Sequence, residues 1–363
     1  MIQYAYRLVP REGGGFHFGR EGRELETSAE SFSSDSLTAA LIAVYATTYG
    51  DPANFVQPWL ERQPPFILSS VFPYVGDIPL LPMPRLRVEF RSDGDPGMRK
   101  RLKGLRYVSP LILTALLAGQ YMDDQWKQDA PGKQLGPRFG LQGGAVWLHP
   151  DERALLPDEW QELPENLLFE KSIWKNSVVP RVTIDRASNS STIYQAGRTV
   201  FASGCGLWFL AAIWDWHELL DDLVTELSMR GIGGERSAGY GAFSVGSPLP
   251  LPDLPLPDDD AARVMTLSRY HPHRDELAAG VLGERAAYEL VRVGGWLASP
   301  NGPAQRRRQV RMIEAGSVLE NKGVVGQLVD VVPTYDQPGA PSHPVYRSGF
   351  ALPIGVSANE QTP

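Results

Sequence analysis

Cysteine is nearly absent. Cys205 is the single thiol in 363 residues, so neither a disulfide within the chain nor a multi-cysteine zinc site can form. It stands in a mixed apolar run and reads as a small buried side chain. Long apolar runs are missing too: none approaches the roughly 18 residues of a membrane span, and no charged-then-apolar leader opens the sequence. A cytoplasmic location without a membrane partner is the expectation. Positive charge is not in excess either. With 35 Lys and Arg against 42 Asp and Glu, the net charge of −7 excludes a protein whose whole surface grips nucleic acid. A confined basic groove remains open, because attraction is local at physiological salt.

The composition that is present, 42% hydrophobic and 21% charged, is that of a globular chain. Its length exceeds the usual single domain and predicts two. One stretch organises the rest: Gly231 to Gly241, with glycines at 231, 233, 234, 239 and 241. Glycine permits positive φ and a close approach of another molecule to the main chain, and the exposed N–H groups suit phosphate oxygens. Arg236 adds a fixed positive charge and Tyr240 a flat face for a base. Two phosphate motifs fail here. A dinucleotide fingerprint from Gly231 needs Gly or Ala at 236 and meets Arg236, and a strand follows where the motif needs a helix. A nucleoside-triphosphate loop from Gly234 needs Lys-Ser/Thr after Gly239 and meets Tyr240-Gly241. A plain αβ connection is the competing reading.

Along the chain, Ile2 to Val9 alternates as a strand. Gly13 to Gly19 follows as a turn, with His17 between Phe16 and Phe18. Ser33-Ser34-Asp35-Ser36 introduces a helix with Leu37, Leu41, Val44 and Tyr45 at helical spacing; these residues read as a cap, and the helix N-terminus as an anion site. Residues 51 to 84 are proline-rich and predict an irregular connection. Arg85 to Arg91 alternates strictly and predicts a half-buried strand. Arg99, Lys100, Arg101, Lys103 and Arg106 form a basic cluster, a solvated face or an RNA contact. A helix is expected over Leu111 to Leu117. Residues 120 to 180, with Trp126, Phe139, Trp147, Trp160, Phe169 and Trp174, read as an insertion projecting from the first domain. Val178 to Arg186 alternates, with Arg181, Thr183 and Asp185 on one side. Gly197 to Ile213 holds a further strand, and Trp216 to Met229 a helix that buries Leu219, Leu220, Leu223, Val224 and Leu227.

Residues 1–246 therefore predict β-α-β-β-α-β, the ferredoxin-like order, with an insertion. Residues 247–260, rich in proline and aspartate, predict an extended linker. Residues 261–356 form the second domain, with strands expected over 263–270, 288–297, 309–313 and 346–354, and 357–363 a tail. Arg306, Arg307, Arg308 and Arg311 make a second basic cluster, again open to the reading of a solvated face.

Several pieces together resemble the RAMP (repeat-associated mysterious protein) superfamily, and within it the subunit of type III-A CRISPR (Csm) effectors that caps the 5′ handle of the guide RNA. They are Phe16-His17-Phe18-Gly19, Ser33 to Leu37, Arg99 to Val108, Pro180 to Arg186, the glycine loop with Arg236-Ser237, Tyr270-His271-Pro272, Ile313 to Ser317 and Val345 to Gly349. The aspartate-rich linker, the proline-rich segment and the acidic surface depart from the pattern. The resemblance implies an α+β architecture of two ferredoxin-like domains, with a β-hairpin thumb inserted in the first. It implies a prokaryotic source, no cofactor and no catalytic role. The implied partners are the crRNA 5′ handle, the large polymerase-cyclase subunit and the RNA-cleaving backbone subunit, with target RNA met indirectly. The implied RNA-binding residues are His17, Gly19, Ser33, Ser34, Asp35, Arg181, Arg186, Gly231, Gly233, Gly234, Arg236, Ser237, Gly239, Tyr240, Gly241, Ser317 and Arg347.

The rival reading is a metal-independent endoribonuclease with His17 as general base. No second histidine stands beside it in sequence to donate a proton. His271-Pro272-His273 admits a metal but lacks a nearby third ligand, and reads as a turn.

Overall fold

The computed structural model describes residues 1–19, 26–91, 96–127, 136–184, 191–257, 261–297, 305–333 and 343–357. Arg186, Asp185, the end of the linker and the tail beyond Ser357 lie outside them. The architecture is mixed α+β with several antiparallel sheets.

The largest sheet is set by one strand that is apolar throughout. β6 (Cys205–Ile213) is buried along its whole length, and pairs antiparallel with β1 (Ile2–Pro10), from Ile2 opposite Ile213 to Leu8 opposite Leu207. The sheet order is β7 (Phe243–Gly246), β1, β6, β3 (Phe72–Val75) and then Ile78–Pro79, with β2 (Phe66–Leu68) also on β6. Helix α1 (Ser34–Thr48) connects β1 towards β2, and helix α2 (His217–Arg230) connects β6 to β7.

Because strand side chains alternate between faces, β6 divides two cores. Leu207, Phe209, Ala211 and Ile213 face the one completed by Leu37, Leu41 and Val44 of α1 and by Leu220, Leu223, Val224 and Leu227 of α2. Trp208, Leu210 and Ala212 face the other. α1 ends at Tyr49, where Gly50 takes φ +99° and stops the helix.

That second core corrects two expectations. The stretch 120–180 does not project: Trp126, Phe139, Trp147, Trp160 and Trp174 are buried in the core behind Trp208. Each such ring removes roughly 150–250 Å² from water, several kcal/mol that an arm in solvent would forgo. The antiparallel ribbon lies further on, in β4 (Trp174–Ile184) and β5 (Ser191–Phe201), paired from Trp174 opposite Phe201 to Ile184 opposite Ser191. The predicted single strand over 197–213 is thus two, parted by a turn in which Gly204 has φ +70°. The second correction is Arg85 to Arg91, which forms no strand. It has one bridge, Glu89 to Tyr121, and otherwise bonds piecemeal, Arg85 N–H to the Gly316 carbonyl and Arg91 N–H to the Asp123 carboxylate.

The C-terminal half has a three-stranded sheet, β13 (Val318–Glu320), β8 (Arg263–Thr266) and β14 (Pro353–Val356). Beside it β9 (Leu290–Val293) pairs with β12 (Val310–Ile313), and β10 (Trp296–Leu297) with β11 (Gln305–Arg306). Its private core is small, centred on Val264, Tyr270, Val281, Ile313, Leu319 and Ala351. Met265, Leu267, Val318, Leu352, Ile354 and Val356 are instead embedded in the core that Trp208 faces. The proline linker lies along that junction, with Leu249 buried and the Gly355 N–H donating to the Pro255 carbonyl.

Candidate nucleic-acid interface

The glycine loop begins where α2 ends. Gly231, at φ +75°, donates its N–H to the Leu227 carbonyl, and the loop closes on itself through Ile232 N–H to Gly241 O at 3.0 Å. It is pinned to the segment after β1 by Gly234 N–H to His17 O at 2.8 Å and Gly241 N–H to Gly15 O at 2.9 Å. At Gly241, with φ +82°, a Cβ would stand 2.1 Å from the Ile232 carbonyl oxygen; at Gly233 it would stand 2.5 Å from that of His17. The glycines are therefore needed for internal packing. Most of the loop's amides, those of 231, 232, 234 and 238–241, bond within the protein, and only Gly233, Glu235, Arg236 and Ser237 among the described loop residues keep theirs unbonded.

The ribbon leans on this loop. Arg181 and Tyr194 are cross-strand partners. The Arg181 guanidinium lies 5.0 Å from the centre of the Tyr240 ring, and the Tyr194 hydroxyl donates to the Glu235 carboxylate at 3.0 Å. That bond raises the Tyr194 pKa. Glu235 itself sits at φ +53°, a strained conformation for a residue with a side chain, and the tyrosine bond helps to hold it. His17 completes the cluster, its Nδ1 2.7 Å from the Gly197 carbonyl of β5.

The structure thus brings together His17, Arg181 and the loop residues Gly231, Gly233, Gly234, Arg236, Ser237, Gly239, Tyr240 and Gly241. Gly19 is exposed and adjoins His17. The rim of the loop, at Gly234, Arg236, Ser237 and Gly239, is open to solvent. Arg236 is exposed, and its guanidinium has no partner among the described residues. Tyr240 differs from expectation: it is 5% exposed, covered by Arg181, and offers no free stacking face. On the far face of the ribbon Val178, Val182 and Ile193 are exposed, three apolar side chains that alternation places opposite Arg181 and Tyr194.

Ser33, Ser34, Asp35 and Arg347 gather elsewhere, where the two halves meet. Asp35 is fully buried at the first turn of α1. Its carboxylate pairs with Arg269 at 3.1 Å and Arg347 at 3.4 Å, both from the C-terminal half. Arg269 also pairs with Glu314 at 2.9 Å. Burial opposes the Arg269 charge, but Asp35 and Glu314 outweigh it and its pKa rises. Arg347 falls below its usual value, chiefly through burial, with Arg269 adding to the fall and Asp35 resisting it. The Arg269 N–H donates to Ser34 Oγ at 2.8 Å, and Ser33 Oγ to Ser36 Oγ at 3.1 Å. The helix N-terminus expected to meet an anion is filled by the protein's own charges. Ser317 is buried as well, its Oγ accepting the Glu289 N–H at 3.2 Å. His273 of the His-Pro-His stretch caps the helix Arg274–Ala279. Tyr194, Glu235, Arg269 and Glu314 are the site and junction residues that sequence reasoning passed over.

The C-terminal residues 259–356 match the family model of the CRISPR Csm4 C-terminal domain. The Csm4 protein of Mycobacterium tuberculosis H37Rv is 28% identical over 348 residues, 95% of each chain. The Methanocaldococcus jannaschii Csm4 protein is 23% identical over 352 residues, 91% of this chain and 89% of that one. The chain is thus similar to Csm4 proteins along almost its whole length, and residues 259–356 carry the match to their C-terminal domain. Two solved structures share the fold of this chain. One is a chain of the Csm3-Csm4 subcomplex of the type III-A CRISPR-Cas interference complex, with TM-score 0.64 and 17% identity, covering 98% of this chain and 99% of that one. The other is a chain of the Csm1-Csm4 cassette in complex with pppApA, with TM-score 0.52 and 18% identity over 99% and 100%.

Proposed function

We propose that this chain is a Csm4-family protein, a non-catalytic subunit of a type III-A CRISPR interference complex. In this reading it holds the 5′ handle of the crRNA and docks the large polymerase-cyclase subunit to the RNA-cleaving backbone subunits, in a prokaryotic cytoplasm. The observation that carries the RNA reading is Arg236, without a partner among the described residues, on the exposed rim of a loop whose path is fixed by glycine packing and by the ribbon. A charge held so by its backbone, with no acid to satisfy it among the described residues, suits a phosphate. The partner reading is supported by the Csm3 and Csm1 named with the two chains of like fold.

The sheet order β7-β1-β6-β3, with helices after β1 and β6, supports a ferredoxin-like first domain. The C-terminal half is proposed as a smaller second one. The ribbon β4–β5, with Val178, Val182 and Ile193 outward, is proposed as the thumb, an apolar edge able to part stacked bases. His17 is 5% exposed with Nδ1 engaged, an arrangement that supports a positioning role over general-base chemistry.

Arg236→Ala should weaken binding of handle RNA by about 1.5–3 kcal/mol, the cost of a lost charge-assisted hydrogen bond. The check is a titration at fixed salt; unchanged affinity would count against the loop. The bound RNA should stay intact in metal-free buffer. Cleavage abolished by His17→Ala would establish the ribonuclease reading instead.

A further inference from the structure

We propose that the ribbon formed by β9–β12 and β10–β11 is a second contact for a single RNA strand, separate from the glycine loop. Residues 290–297 and 305–313 carry five arginines, at 292, 306, 307, 308 and 311, and no acid. Two of them brace the ribbon: Arg307 donates to the Gly294 carbonyl and Arg308 to that of Asp330. Arg292 and Arg311 do not. The register sets them directly opposite one another, both exposed, and neither guanidinium has a hydrogen bond or ion pair among the described residues.

Like charges facing each other across two strands destabilise the pairing. Among the described residues the pair is nonetheless left without a carboxylate. An anion lying between them would turn that repulsion into two charge-assisted bonds. They line an open depression of about 360 Å³ with Gln309 and Val310. The other side of the ribbon is anchored, with Met312 and Val293 buried, so the two guanidinium groups are carried on a fixed frame.

The second half of the argument is Trp296, 62% exposed on the neighbouring rung, with the Arg306 guanidinium 5.1 Å from its ring centre. An indole held by a cation on one side presents its remaining surface to a flat partner. Phosphate-binding arginines beside such a ring match the repeat of a polynucleotide strand, phosphodiester then base, better than they match an acidic peptide.

This inference rests on the ribbon alone, and its failure would leave the reading of Arg236 standing. The test uses the full chain and a fluorescent oligouridylate of about 12 nucleotides, a length that one such surface can span. Anisotropy titrations would run from about 50 to 200 mM salt. Arg292→Gln with Arg311→Gln should lower affinity roughly tenfold and flatten the plot of log K against log salt by about 1.4, two phosphates at about 0.7 each. Trp296→Ala should weaken binding severalfold at unchanged slope, with melting temperatures matching the parent. An unaltered slope and affinity in the double variant would overturn the proposal. So would loss of polyglutamate binding in that variant with oligouridylate binding intact, which would mark the ribbon as a protein contact. Arg236→Ala, titrated in parallel against handle RNA, reports on the other site.

Discussion

Asp35→Ala should destabilise the folded chain by about 3–5 kcal/mol, the largest single-residue loss expected here. Two arginines converge on this one fully buried carboxylate, and removing it leaves them facing each other inside the protein. Arg269 retains Glu314, whereas Arg347 retains, among the described residues, only the Asp35 carbonyl and the Ser36 hydroxyl, at 3.3 and 3.2 Å. Burial already presses on the Arg347 charge, so most of the cost falls on that residue. The measurement is urea unfolding. Arg87→Ala, which removes an exposed pair with Glu89, serves as the comparison and should change stability by less than about 1 kcal/mol. A loss that small for Asp35→Ala would mean that the junction is held by its apolar contacts, with the charges contributing specificity at most.

Gly241→Ala should abolish the loop's path and lower handle affinity at least tenfold, whereas Gly239→Ala should be mild. Both residues have φ near +85°, so both substitutions carry roughly 1–2 kcal/mol of backbone strain. They differ in space. A methyl at 239 meets nothing, while one at 241 collides with the Ile232 carbonyl oxygen, which should break both the loop-closing bond from the Ile232 N–H to the Gly241 carbonyl and the bond to Gly15. The paired measurement, melting temperature and RNA affinity for each variant, separates packing from conformation. Equal effects at the two positions would show that the loop rearranges freely and that its observed shape has no bearing on binding.

Elements whose partners are near in sequence were legible before the structure. The spacing of Leu37, Leu41 and Val44 gave α1 and that of Leu220, Leu223, Val224 and Leu227 gave α2, whereas the strand expected within 197–213 merged the end of β5 with β6. Arg85 to Arg91 misled because alternation supplies a pattern without supplying a neighbour, and the prolines before it leave no continuous strand to pair with. The aromatics of 120–180 misled for the opposite reason: among glycine, proline and polar residues they carry no period, although together they build a core.

At the site, the glycine loop and Arg236 stood out by composition alone. What stayed hidden was the use of its amides, which bond to Gly15 and His17 more than 200 residues earlier in the chain. Asp35 was singled out for an anion-binding turn because its true partners lie 234 residues away at Arg269 and 312 away at Arg347. No local pattern encodes such pairs. Tyr240 was read as a platform for the same reason, its cover being Arg181 from the ribbon.

The embedding of Met265, Leu267, Leu352 and Ile354 among first-half side chains bears on how the molecule can be taken apart. Severing the backbone between residues 257 and 261 should leave a stable non-covalent pair that co-purifies and melts as one. Neither fragment made alone should be soluble, since each would expose its share of a common interior. The linker then acts as a tether that raises local concentration during folding, and the finished molecule reaches any assembly as a single preformed block.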